Sequence, residues 1–189
     1  TGMAALVAQY IRENDLTEQT GLTVRQLAQS LLMSTAVPMY QDYGEGKYGY
    51  YSVMQQGAGL ANVGAAVSAG TYIKMDKNAN AGAADGKVKV ELGDDPGWSG
   101  SYDLDFRVEN LGSDTLSYSM KAVLLRPDTA EQDGKTMVLA SDVLIREVDL
   151  GSVSVPAGGT QVSRTFPSPL PTSPPSATCS PTAAMWRAL

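Results

Sequence analysis

The spacing of apolar residues changes period part-way along the chain, and this change limits the folds open to it. Met3, Leu6, Val7, Tyr10 and Ile11 recur at i, i+3, i+4, i+7 and i+8, the stripe of one buried helix face. Asn14-Asp15 and Gly21 interrupt it. Thr23 with Gln26 three residues on makes a capping box. It opens a second helix with Val24, Leu27, Ala28, Leu31 and Leu32 on one face, closed by Pro38. Each helix has a single apolar face, so each is expected on the outside of a larger body. Tyr40, Tyr43, Tyr48, Tyr50 and Tyr51 alternate with Gly44, Gly46 and Gly49, which predicts an irregular loop or a short hairpin. Asn62 then caps a short third helix, Val63 to Ala69, ended by Gly70.

From Asp85 the period is two. Val88, Val90 and Leu92 alternate with Lys87, Lys89 and Glu91. Tyr102, Leu104, Phe106 and Val108 share one strand face, with Asp103, Asp105, Arg107 and Glu109 on the other. Asn110 to Asp114 is a turn cluster, and Leu116, Tyr118, Met120, Ala122 and Leu124 point inward after it. Met137 to Ala140, Val143 to Leu150 and Val153 to Val155 are further strands. Pro156-Ala157-Gly158-Gly159 turns the chain into a last one, Gln161 to Phe166. The pattern predicts an α segment followed by an all-β antiparallel sandwich, one face of each sheet buried and the other wet.

Six of the ten prolines lie between Pro167 and Pro181, among Ser, Thr and Ala, so residues 167–189 read as a disordered tail. The change at Gln161 to Phe166 fits a shift of reading frame better than a wall-anchoring linker, which is usually longer and more repetitive. Cys179 and Trp186 fall within that tail.

Composition excludes several chemistries. There is no histidine, so the chain supplies no base for a Ser-His-Asp or Cys-His site. One cysteine and no histidine leave no common zinc set. A net charge of −6 without a basic cluster argues against nucleic acid as a partner. No apolar run reaches the roughly 20 residues of a membrane span. Thr1 to Leu6 lacks a charged leader and enters a helix at once, like the continuation of a longer polypeptide.

Thr1-Gly2-Met3-Ala4-Ala5-Leu6-Val7 resembles the helix that follows the nucleophile in subtilisin-like serine peptidases, where a Gly-Thr-Ser-Met-Ala segment carries the serine. Leu31 to Ala36 resembles the next helix and its exit. Tyr50-Tyr51, Gln55 to Val63 and Ala65-Ala66 resemble the stretch that closes the domain in lactocepin-type cell-envelope proteinases. Those carry a fibronectin-type-III-like sandwich next, where this chain places its strands. The resemblance spans roughly residues 1–165. It implies residues 1–72 as the incomplete end of a peptidase domain, 73–84 as a linker and 85–166 as the sandwich. It also implies a secreted or wall-associated endopeptidase acting on protein or peptide substrate, with the upstream part of the same domain as partner. The family's Asp, His, Ser and oxyanion amide all lie ahead of Thr1, so no catalytic residue carries over and the chain alone is expected to be inactive. No cofactor-binding or metal-ligating residue is assigned.

Weaker signals have plainer readings. Gly57-x-Gly59 has Asn62 where a dinucleotide fingerprint needs Gly, and reads as a tight turn. Asp76 to Asn80 spaces oxygens like a calcium loop, but Ala81 and Lys87 stand where Gly and Glu belong. Glu91, Asp94, Asp95, Asp103 and Asp105 are read as a solvated sheet face rather than catalytic carboxylates. The Tyr/Gly stretch packs on the body rather than stacking on a ligand. Ser34 and Ser52 have no base beyond Lys74 or Lys47, for which no motif speaks.

Overall fold

Val7 and Ile11, one turn apart on α1 (Gly2–Glu13), are completely buried, as their spacing predicts. The computed structural model describes residues 1–42, 48–74, 101–167 and 184–188. The residues expected to break the first helix do so, and a second forms between them, α2 (Leu16–Thr20), bounded by left-handed Asp15 and Gly21 and seated by buried Leu16. The capping box then opens α3 (Val24–Ser34): Gln26 N–H donates to the Thr23 hydroxyl while the Gln26 side chain accepts from the Thr23 backbone. The Tyr/Gly stretch resolves as a hairpin, β1 (Tyr40–Asp42) against β2 (Tyr48–Tyr51). After α4 (Val53–Gln56), Asn62 caps α5 (Val63–Ser68) by accepting the Ala65 N–H at 3.0 Å.

The remaining elements are strands: β3 (Thr71–Lys74), β4 (Ser101–Asn110), β5 (Leu116–Gln132), β6 (Lys135–Val155), β7 (Thr160–Pro167) and β8 (Ala184–Ala188). They form two antiparallel sheets, ordered β1-β2-β6-β5-β8 and β3-β4-β7. Helices followed by packed antiparallel sheets are the architecture the change of period predicts.

Two cores result. The helices bury Val7, Ile11, Leu16, Leu27, Leu31 and Ala66 together, and Tyr72 of β3 joins them. The stripes of α1 and α3 thus cover each other within this chain, although Met3 and Leu6 stay exposed. Between the sheets, Leu104, Phe106 and Val108 of β4 meet Met120, Ala122 and Leu124 of β5, with Val155 and Val162. Each of these faces follows its period-two register.

Three expectations need correction. The single wet face fails on β5, where Val123 and Leu125 are also buried, packed on Tyr50 and Val53. The β1–β2 hairpin, which extends the same sheet past β6, and the start of α4 bring Tyr50 and Val53 to that side. The three strands expected between Met137 and Val155 are one continuous strand, β6, paired along β5. Register shifts at Met120/Lys121, Leu124/Leu125 and Pro127/Thr129 absorb the misfits, with Gly151 at φ 77° opposite Met120 and Pro127 beside another shift. Finally, Ala184–Ala188 departs from the expected disorder and adds to β5 along Met120–Leu124. Past the last proline this stretch again has N–H groups to give to a strand edge.

The expected boundary between residues 72 and 73 falls inside β3, whose four residues pair with Arg107 to Asn110. Residues 75–84 and the strand expected at Val88 to Leu92 lie outside the described residues. Asp133 and Gly134, at φ 52° and 70°, join β5 to β6 by a two-residue turn.

Candidate functional site

Helices and sandwich meet along β3. Alternate residues of a strand face opposite ways, so Tyr72 enters the helical core while Ile73 packs on the core between the sheets. The seam is also hydrogen-bonded. Leu111 N–H donates to the Gly70 carbonyl at 2.8 Å, Gln19 Nε2 donates to the Leu111 carbonyl at 2.8 Å, and Ile73 N–H donates to Ser34 Oγ at 2.9 Å. Asn110 holds the turn beyond it: its side chain donates to the carbonyls of Asp114 and Val155 and accepts the Gly112 N–H. That buried amide accounts for the turn cluster after β4.

A cleft of about 430 Å³ opens at this seam, between the ends of α3 and α5, β3 and the mouth of the sandwich. Phe106, Val108, Met120 and Val153 form its apolar depth. Thr71 Oγ1 and Tyr118 Oη span it, 2.8 Å apart. Burial, and secondarily the charge of Glu109, push the phenol of Tyr72 on its wall up to about 12. A second, shallower groove runs between α1 and α3, along Ala4, Ala8, Val24, Ala28 and Leu32.

The residues singled out from sequence have structural partners. Ser34 accepts the Ile73 N–H, and Lys74 lies in β3 opposite Arg107. Ser52 is buried and caps α4 by accepting the Met54 N–H. Gly57 ends α4, and Gly59 adopts φ 115° where a β-carbon would collide with the Val37 carbonyl, beside the Val37–Leu60 bridge. Asp103 and Asp105 are exposed and accept hydrogen bonds from Thr165 Oγ1 and Ser163 Oγ across the β4–β7 ladder. Tyr40 and Tyr50 stack edge-to-face with centroids 5.0 Å apart. Lys47, Asp76 to Asn80, Glu91, Asp94, Asp95 and Cys179 lie outside the described residues.

One buried group had no signal in the sequence. Asp142 on β6 accepts the Val53 N–H through Oδ2 at 2.9 Å, while its buried Oδ1 has no hydrogen-bond partner. Ser141-Asp142 reads as a strand break, and only the fold of α4 over β6 turns it inward. Among the described residues no group of three or more Asp, Glu, His or Cys is placed to hold a metal ion, and no helix is long and apolar enough to cross a membrane. No family model matches the chain, and no curated protein matches it.

Proposed function

We propose that the chain is the non-catalytic end of a subtilisin-like serine endopeptidase domain together with a fibronectin-type-III-like sandwich. The observation that carries this reading is convergence. Val7, Leu31 and Ala66 come from three separated stretches that resemble the family, and all three are completely buried in one cluster. The role that follows is positional. A serine at the start of a helix is only as well placed as that helix is packed, and α1 is fixed at Val7 and Ile11. The exposed Met3 and Leu6 on its first turns support further protein covering that end.

Without histidine the chain supplies no base for a Ser-His-Asp site, so the 189-residue chain is expected to take up no fluorophosphonate probe. Stoichiometric labelling of any serine overturns that. The coding sequence ahead of Thr1 tests the family itself: the reading requires a Gly-Thr-Ser-Met-Ala segment, preceded by His and Asp segments in the same frame. A frame without them leaves a second reading, a sandwich that serves as a surface or spacer module. The exposed Met137, Val138 and Leu139 on the outer part of β6 favour that alternative.

A further inference from the structure

The seam cleft has a composition that selects its occupant. Among the described residues none of its lining side chains is charged. A carboxylate or ammonium entering it would lose hydration with no opposite charge to replace it. Its depth is hydrocarbon, aromatic ring and thioether. Its volume of about 430 Å³ lies at the small end of ligand pockets.

The hydroxyls at its rim are not equivalent. Thr35 donates to the Leu31 carbonyl and Ser68 to the Gly64 carbonyl, so both offer the cleft only acceptor lone pairs. Ser34 accepts from Ile73 N–H, which leaves its own proton to give. Thr71 and Tyr118 share one hydrogen bond, so one of their two protons is also uncommitted. The cleft therefore pairs an apolar depth with both donors and acceptors at its mouth.

We propose that this cleft binds a neutral, mostly apolar small molecule bearing one hydroxyl, of the size of a substituted phenol. The ring lies beside Phe106 and Met120, and the hydroxyl joins the Thr71–Tyr118 pair. The site belongs to the seam itself, because neither the helices nor the sandwich alone encloses it. It stands independently of any peptidase assignment.

Titration of the full chain with 4-ethylphenol, followed by amide ¹H–¹⁵N shifts, tests this. Saturable shifts are expected at β3, Tyr118 and Val153, with a dissociation constant of about 1 mM or tighter. Tyr118→Phe is expected to weaken 4-ethylphenol roughly 3- to 10-fold and to leave ethylbenzene unchanged. Thr71→Val, a change of similar shape at the other end of the pair, repeats the test if Tyr118→Phe loses spectral dispersion. The anionic 4-ethylbenzoate is expected to bind at least about tenfold more weakly than the phenol. Shifts that fail to saturate, shifts confined to the α1–α3 groove, or equal binding of the benzoate each overturn the proposal.

Discussion

Phe106 and Arg107 are chain neighbours with opposite surroundings. Phe106 is 7% exposed in the core with Met120 and Val162, while Arg107 lies on the outer face, its Nε 3.0 Å from Glu109. Phe106→Ala is expected to cost about 3–5 kcal/mol in urea melts. Arg107→Ala is expected to cost about 1 kcal/mol or less, since partly exposed ion pairs contribute little. The reverse order would mean a register wrong by one residue, which flips every face of β4. This much was legible, because alternation of Leu104, Phe106 and Val108 with charged residues has one packing solution. The environment of Tyr72 was not legible, since the core it joins is assembled from four helices. Burial first, then Glu109, raises its phenol from 10.0 to about 12, with Arg107 opposing. The folded state therefore favours the protonated form, a contribution complete below pH 10.0 and lost as pH climbs toward about 12. Urea midpoints are expected to hold to about pH 10.0 and to fall between there and about pH 12, and Tyr72→Phe to lessen the fall. An undiminished loss in Tyr72→Phe would assign the alkaline sensitivity to another group.

At the scale of elements, local signals were read well and layered ones poorly. The capping box at Thr23 and the cap at Asn62 need only a few consecutive residues, and both formed. Burial of Val123 and Leu125 depends on a hairpin some seventy residues earlier in the chain, which no period in β5 encodes. The breaks seen at Ser141-Asp142 and Gly151 proved to be an inward carboxylate and a bulge within one strand. The outer end of the β5–β6 ribbon carries a hazard. Val138 is 66% exposed beside Met137 and Leu139, and among the described residues β2 pairs with β6 at Ser141 and Asp142. An apolar strand edge of this kind templates association. Val138→Lys is expected to leave the urea midpoint nearly unchanged, within about 0.5 kcal/mol, and to lower light scattering at high protein concentration. Scattering that stays the same or rises would show that the ribbon is not the adhesive edge.

For the whole molecule, the helices and the sheets are joined along one seam. A strand of four residues, β3, is too short to announce itself by alternation, yet it supplies Tyr72 to one core and Ile73 to the other. Leu31→Ala in the helical core is expected to cost about 2–5 kcal/mol. It should shift far-ultraviolet and tyrosine near-ultraviolet transitions by the same amount, because the cores share β3. Two separated transitions would restore the divided molecule. The two-residue turn at Asp133 and Gly134 also has a consequence in time. β5 and β6, the longest strands, need no long loop to find each other, and hairpins close in about 1–10 μs. β2 must cross some ninety residues to reach β6, and β4 more than fifty to reach β7, at a higher entropic cost. The ribbon is thus the first part of its sheet to be ready, and β2 and β8 are received by edges that already exist.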